Sequence, residues 1–216
     1  MNNLIIFDLD NTIINGDSDR NWGQFLVEES IVEKDYLEKN EHFYSSYDSG
    51  QLDINSFLDF CVQPLKNNSM DKLVGLREKF IKTKIEPIVL GKAKNLIDEE
   101  LKKNKVIIAT ATNSFVTKPI AELFLVKDLI ATEFEIKENA FTGKVIDVPC
   151  FREGKLLKVK NWAESNSYDL RQATFYSDSL NDLPLLNEVG NAVIVDGDDE
   201  LRLVAKANNW KCISFR

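Results

Sequence analysis

The chain has 216 residues, of which 44% are hydrophobic and 29% charged, with a formal net charge of −8. This composition is typical of a globular protein and excludes the disordered and membrane-spanning classes, and the length suffices for one domain with an insertion. Without clusters of Lys and Arg, an acidic chain is not expected to bind nucleic acid. Three cysteines without metal-ligand spacing predict reduced thiols.

The first predicted element is a short buried strand, Leu4 to Phe7, in the opening MNNLIIFDLDNTIING. This apolar run is too short for a signal peptide, and acids follow it at once. No other segment approaches the ~20 apolar residues of a membrane span, so we expect a cytoplasmic protein without a membrane partner. The strand ends at Asp8 and Asp10, within FDLDNT. Two like charges at the end of a buried strand call for a compensating ligand.

A helical segment follows the first strand. Residues 17–84 contain only helix-like patterns, such as MDKLVGLREKFI, which places Leu73, Leu76, Phe80 and Ile81 on one face. We expect a helical cap over the carboxyl end of the first strand. The predicted boundaries are 17–84 for the cap and 1–16 with 85–216 for the core.

The rest of the chain alternates helical and strand-like patterns. GKAKNLIDEELKKN predicts a helix that leads into the strand VIIAT, and Pro119 predicts a helix that starts near Thr117. ENAFTGKV predicts a hairpin turn within an antiparallel excursion over residues 130–148. This alternation indicates an α/β fold with a mostly parallel sheet covered on both faces. The later predicted strands are Val106 to Ala109, Ala173 to Tyr176, Ala192 to Val195 and Cys212 to Phe215.

Polar residues gather at the predicted strand ends, where open parallel sheets bind ligands. Asp8 and Asp10 follow the first strand, and Thr110 ends VIIAT, with Thr112 as a rival for its role. YSDSLNDLPLL adds Asp178, Asn181 and Asp182, and if a helix starts there, the two aspartates share one of its faces. Such a carboxylate cluster needs a cation, and oxygen ligands favour Mg²⁺.

A carboxylate beside Mg²⁺ suits attack on a phosphate ester. The first acid would act as a nucleophile, and a second acid two residues on would transfer protons to the leaving oxygen and from water. Thr110 and the backbone N–H groups after Asp8 and Thr110 would hold phosphoryl oxygens. Lys155, in FREGKLLKVKNWAE, would neutralise the developing negative charge.

With these motifs in order, the chain resembles the haloacid dehalogenase superfamily, in its phosphoserine-phosphatase-like branch. FDLDNT matches the D-x-D-x-T motif, IIAT the Ser/Thr motif, EGK the lysine motif and YSDSLND the final acidic motif. The resemblance spans the chain and implies a three-layer Rossmann-like core with a cap inserted after the first strand. It also implies an Mg²⁺-dependent phosphomonoesterase that acts on a small phosphorylated metabolite.

The resemblance further implies residue roles. Asp8 would be the nucleophile, and Asp10 would be the general acid and base. Thr110, Lys155 and Asn181 would bind the phosphoryl group. Mg²⁺ would be bound by Asp178, Asp8 and the backbone carbonyl of Asp10, and Asp182 would support that shell. The only histidine, His42, is interpreted as an ordinary cap residue. The aromatic stretch HFYSSY is interpreted as cap packing, with contact to substrate as the open alternative.

The charged residues of the predicted cap indicate which substrate the enzyme would bind. Enzymes of this branch bind the substrate ammonium through an acid nine residues after the nucleophile, which corresponds to Asp17, with Asp19 close behind. They bind the substrate carboxylate through a cap arginine, whose place falls near Cys61, and no arginine lies between Arg20 and Arg77. The preferred prediction is therefore a cationic phosphate monoester, histidinol phosphate first.

Three alternatives stay open at this stage. The substrate could be phosphoserine if Arg20 or Arg77 reaches the site. The chain could instead be a receiver-like module, although receivers are much shorter. It could also be a non-catalytic phosphate-binding module, although none of the four motifs is missing. The oligomeric state is not predicted.

Overall fold

The computed structural model describes residues 3–216, apart from the side chain of Asp48. A seven-stranded sheet has the order β4-β3-β2-β1-β5-β6-β7, and only β4 runs antiparallel to its neighbour. The predicted α/β fold with a mostly parallel sheet is confirmed. The strands are β1 (Leu4–Phe7), β2 (Lys105–Asn113), β3 (Asp128–Lys137), β4 (Ala140–Ile146), β5 (Thr174–Ser177), β6 (Asn191–Val195) and β7 (Lys211–Ile213).

Helices connect these strands. The α-helices are α1 (Ser18–Glu28), α2 (Asp35–Asp48), α3 (Ile54–Lys66), α4 (Met70–Phe80), α5 (Gly91–Leu101), α6 (Ser114–Leu123), α7 (Glu153–Ser165), α8 (Leu183–Glu188) and α9 (Asp199–Ala207). A π-helical turn spans Ile81–Ile85, and 3₁₀ turns span Glu86–Ile88, Leu170–Gln172 and Leu180–Asp182. No helix of the described residues is long and apolar enough to cross a membrane.

The sheet separates two hydrophobic cores, as the alternation of side chains in β1 requires. Leu4 and Ile6 pack into a core shared with α7 and α9. Ile5 and Phe7 pack into the opposite core, which includes apolar residues of α5, α6 and the helices between β1 and β2. Helices therefore cover both faces of the sheet, and the central strand is fully buried.

The segment between β1 and β2 is helical, as the sequence predicts. It forms α1 to α5 with the π-helical turn and a 3₁₀ turn between α4 and α5, and α3 contacts β4 at the sheet edge. The division into a cap of residues 17–84 and a core stays a prediction. The predicted hairpin is present: Glu138 and Asn139 both adopt positive φ between β3 and β4, as a tight two-residue turn requires.

The prediction for Pro119 is wrong. Helix α6 begins at Ser114 rather than near Thr117, because the side chain of Asn113 caps it by accepting a hydrogen bond from the Val116 amide. Pro119 consequently lies inside the helix and deprives the Phe115 carbonyl of its usual N–H partner. The guanidinium of Arg77 donates to that carbonyl over 2.8 Å and lies 4.4 Å from the centre of the Phe115 ring.

Three further expectations need correction. Asp178 and Asp182 do not share a helix face, because a 3₁₀ turn rather than an α-helix follows β5. Strand β2 also does not end at Thr110 but runs on to Asn113, with irregular pairing to β3 after Ala109. Thr110 still lies beyond the last residue that pairs with β1. Strand β7 ends at Ile213, two residues before Phe215.

Candidate active site

A cavity of about 540 Å³ lies at the carboxyl ends of β1, β2 and β5. These strands are neighbours in the sheet, so residues that follow them converge although they are far apart in the chain. All nine predicted site residues line the cavity: Asp8, Asp10, Asp17, Asp19, Thr110, Lys155, Asp178, Asn181 and Asp182. The structure thus brings together every residue that the sequence selected, and their roles remain proposals.

A buried ion-pair cluster forms the floor of the cavity. Lys155 Nζ lies 2.8 Å from Asp8 Oδ1 and 2.6 Å from Asp182 Oδ1. Burial alone would lower the pKa of Lys155, but the charges of Asp182 and Asp8 outweigh it and hold this pKa well above its ordinary value. Burial raises the pKa of Asp8 to about 6, against the opposing charge of Lys155. Lys155 therefore stays cationic beside two acids.

Gly154 explains how Lys155 reaches this position. A Cβ atom on Gly154 would lie 2.1 Å from the carbonyl oxygen of Pro149, a distance that no side chain tolerates. Only glycine lets the loop approach this closely, and the chain then enters α7 with Lys155 directed to the floor. The glycine of the EGK motif is thus required by packing.

Two carboxylates share the hydroxyl of Thr12. Its Oγ1 lies 2.7 Å from Asp178 Oδ1 and 3.4 Å from Asp8 Oδ2. Burial, reinforced by the charge of Asp8, raises the pKa of Asp178 to about 8. This crowding of oxygen ligands fits a hard divalent cation, which would relieve the repulsion. In the described part of the chain, however, no three His, Cys, Asp or Glu side chains form a ready-made metal site. A backbone carbonyl, such as that of Asp10, would have to complete the set.

Asp10 is held by hydrogen bonds from three directions. Its Oδ1 accepts from the Ser18 amide over 2.6 Å, while its Oδ2 accepts from the hydroxyls of Thr112 over 3.0 Å and Thr110 over 3.3 Å. Burial, followed by the charges of Asp17 and Asp8, raises the pKa of Asp10 well above its ordinary value. A carboxyl whose pKa is raised holds its proton more readily, which suits a general acid. Thr110 and Thr112 both remain candidates for the phosphoryl contact.

Residues of the predicted cap, 17–84, form the far end of the cavity. Asp17 caps α1 through the Arg20 amide at 2.8 Å and accepts a 2.7 Å hydrogen bond from the Tyr44 hydroxyl. Asp19 is 8% exposed, and the Cys61 thiol donates to its Oδ2 over 3.2 Å. Burial, followed by the charge of Asp17, raises the pKa of Asp19 to about 7. Cys61 thus lies beside an acid, at the place where the resemblance expects an arginine.

Neither candidate arginine lines the cavity. Arg20 forms an ion pair with Glu41 on the surface, and Arg77 donates a hydrogen bond to the Phe115 carbonyl. His42 does not line it either, which agrees with an ordinary cap residue. The HFYSSY stretch does both things that the sequence left open: Phe43, Tyr44 and Tyr47 pack with other aromatic rings and also line the cavity.

Sequence reasoning missed several neighbours of the site. Thr12 belongs to the FDLDNT motif. Its position four residues after Asp8 is the feature of the sequence that could have indicated a contact with the Asp8 carboxylate. The contacts of Arg152 with Asn181, and of Cys61 with Asp19, carry no local signal, since the partners are 29 and 42 residues apart.

The protein-family model of haloacid dehalogenase-like hydrolases matches the sequence over residues 5–187. The chain belongs to this family. A histidinol-phosphatase of Neisseria meningitidis serogroup C is 36% identical over the whole of both chains. A crystal structure of a protein of unknown function from Bordetella pertussis Tohama I covers both chains fully at 32% identity, with a TM-score of 0.94.

A substrate-bound phosphoserine phosphatase has a TM-score of 0.73 at 17% identity, covering 99% of this chain and 93% of the other, and so supports the fold alone. These matches confirm the predicted superfamily and, with it, the enzyme class of a haloacid dehalogenase-type phosphatase.

Proposed function

We propose that this hydrolase is an Mg²⁺-dependent phosphomonoesterase that forms an aspartyl-phosphate on Asp8 and prefers histidinol phosphate. The observation that carries the proposal is one continuous cavity with a buried lysine and a carboxylate cluster that suits Mg²⁺ at its floor, and two further carboxylates at its other end. Lys155 lies at the floor, and Asp17 and Asp19 lie at the cap end. Such a cavity complements a small molecule that is anionic at its phosphate and cationic at its other end.

The floor supplies the reacting groups. The Asp8 carboxylate attacks phosphorus, and the bond from phosphorus to the ester oxygen breaks as Asp10 gives that oxygen a proton. Asp10 then takes a proton from the water that cleaves the acyl-phosphate bond, which restores both acids. Lys155 balances charge on the phosphoryl oxygens, with Thr110 or Thr112 and Asn181 as further donors. Bound by Asp8, Asp178 and the Asp10 carbonyl, Mg²⁺ would neutralise phosphoryl charge.

The cap end favours a cation. Among the described residues, the cap contributes Asp17 and Asp19 to the lining but no lysine or arginine. A substrate carboxylate buried here would face two acids without a partner, at a cost of several kcal/mol. Histidinol phosphate carries an ammonium and an imidazole and no carboxylate. The similarity to a protein named as a histidinol-phosphatase supports this choice.

Phosphoserine remains the alternative substrate. Its carboxylate would need a cation, and the only arginine that lines the cavity among the described residues is Arg216. The Arg216 guanidinium is already 3.2 Å from Asp196 Oδ2 and donates to the Asn11 carbonyl over 3.1 Å. These contacts favour a cationic substrate over an amino acid. A receiver-like or non-catalytic module fits less well, because the whole family site is present.

The test compares kcat/KM for histidinol phosphate, phosphoserine and phosphoethanolamine with Mg²⁺ present. We expect histidinol phosphate to be preferred and Asp17→Asn to raise its KM, since asparagine still caps α1 but lacks the charge. Asp53→Asn is the matched control, because Asp53 caps the cap helix α3 at an exposed position outside the cavity. A clear preference for phosphoserine would overturn the substrate assignment, and no hydrolysis of any ester would overturn the activity.

A further inference from the structure

Arg152 has an unusual backbone conformation directly before α7. Its φ of 49° and ψ of −119° lie in a region that favours glycine. A non-glycine residue there costs about 1–3 kcal/mol, so contacts of the side chain must compensate for it. Arg152 lies three residues before Lys155, in the loop that delivers this lysine to the cavity floor.

The Arg152 side chain joins two parts of the molecule. Its Nε donates a 2.8 Å hydrogen bond to Oδ1 of Asn181, and its Nη2 donates a 2.9 Å bond to the carbonyl oxygen of Gly50 at the end of α2. The guanidinium carbon also lies 5.0 Å from the centre of the Phe151 ring. Three contacts on three sides therefore fix the plane of the guanidinium.

This contact determines which way the Asn181 amide faces. A guanidinium has only donors, so it can bond the oxygen of the carboxamide but not its nitrogen. Oδ1 is thereby committed to Arg152, and no acceptor in the described part of the chain bonds Nδ2. Asn181 lines the cavity. Its N–H groups are thus free for an anion, whereas a flipped amide would present an oxygen to the phosphate.

We propose that Arg152 is a positioning residue that holds the Asn181 carboxamide with its N–H groups available to the phosphoryl group. This inference rests on the proposed function, because it takes Asn181 as a phosphate ligand. The carbonyl of Gly50 accepts the second hydrogen bond of the Arg152 guanidinium, and the Phe151 ring packs against the face of this guanidinium. Lysine could supply the charge but not the two separated donors or the flat face.

The test measures binding of inorganic phosphate by isothermal titration calorimetry, with Mg²⁺ present, to four variants: Arg152→Ala, Arg152→Lys, Asn181→Ala and the double alanine variant. We expect each single variant to bind phosphate about tenfold more weakly, the size of one lost hydrogen bond to a charged group. The double variant should bind no more weakly than Asn181→Ala, because Arg152 acts through Asn181.

Two further variants separate positioning from folding. Arg152→Gly removes the side chain but suits the backbone conformation, so it should keep the wild-type melting temperature and still lose about tenfold in phosphate affinity. Arg171→Ala is the matched control, because the Arg171 side chain is 84% exposed and pairs only with nearby Asp169, and it should bind phosphate like the wild type.

Wild-type affinity in Arg152→Lys or Arg152→Gly, or losses that multiply in the double variant, would overturn the role of Arg152 alone. A wild-type protein that neither binds phosphate nor hydrolyses esters would instead overturn the proposed function.

Discussion

The hydroxyl of Thr12 donates a 2.7 Å hydrogen bond to Oδ1 of Asp178, although the two residues are 166 positions apart. The Asp178 amide in turn donates to Thr12 Oγ1 over 3.1 Å. This reciprocal pair joins the loop after β1 to the loop after β5 and keeps the carboxylates of Asp8 and Asp178 on either side of one hydroxyl. The same arrangement that crowds two acids also prepares them to share a cation.

We expect Mg²⁺ to raise the melting temperature of the wild-type protein by several degrees and to have little effect on Asp178→Asn, because ligand binding to the native state stabilises it. Without Mg²⁺ at pH 8, Asp178→Asn should melt above the wild type, since it removes a charge that burial and repulsion from Asp8 both disfavour. Thermal denaturation with and without a chelator measures both effects. An equal Mg²⁺ response in the two proteins would remove Asp178 from the metal site.

Asp8→Asn should abolish turnover while the protein stays folded. The amide keeps the shape of the side chain but lacks the nucleophilic charge, and loss of a nucleophile typically lowers kcat by far more than a hundredfold. The measurement is released phosphate, with circular dichroism as the check on folding. More than about a hundredth of wild-type activity would contradict covalent catalysis through Asp8.

Asp10→Asn should still become labelled with phosphate, more slowly than the wild type because the leaving oxygen lacks its proton donor, and should then stall in the release of that phosphate. Asp10 is proposed to transfer both protons, and the second transfer, from water, has no substitute in the asparagine variant. The labelled fraction after acid quenching and the steady-state rate are measured together. Equal loss of labelling and turnover would indicate that Asp10 acts through Mg²⁺ binding, and an unchanged rate would exclude a proton-transfer role.

Asp19 gives a prediction for pH. Its native-state pKa is raised to about 7 by burial and the charge of Asp17, so its contribution to stability is fully present below its unfolded pKa of 3.8 and is lost as the pH rises through about 7. Asp19→Asn should therefore match the wild type near pH 4 and melt several degrees higher at pH 8.

Thermal melts of the ligand-free protein across this pH range test the prediction for Asp19. Asp59→Asn, at an exposed position of the same cap, should change little at either pH. A variant that is less stable than the wild type at pH 8 would show that the Asp19 carboxylate is stabilised by a partner in the native state.

The sequence predicts the ends of β1 and β5 and the site residues because both depend on local patterns. An apolar run followed by acids marks a strand end wherever it occurs, and β1 and β5 begin and end within one residue of their predicted positions. The parallel order of the sheet then brings Asp8, Thr110 and Asp178 to one cavity without any knowledge of side-chain packing.

The contacts that orient these residues could not be predicted in the same way. Asp182 directly partners Lys155 rather than sharing a helix face with Asp178, because a 3₁₀ turn replaces the expected helix start. Pro119 predicts a start for α6 that is too late, because the cap at Asn113 and not the proline fixes where the helix begins. In each case a turn or a distant partner decides the geometry, and neither leaves a periodic signal.

Because Arg77 donates a hydrogen bond to the Phe115 carbonyl, the cost of replacing Arg77 depends on which residue occupies position 119. Pro119 removes the amide that would normally satisfy this carbonyl, and Arg77 supplies the missing donor from the cap helix α4. Arg77→Ala should therefore be costly beside Pro119 and much less so beside Pro119→Ala, where the helix satisfies its own carbonyl. We thus expect a replacement of Arg77 to be tolerated only after Pro119 has changed, whereas Pro119 can change first.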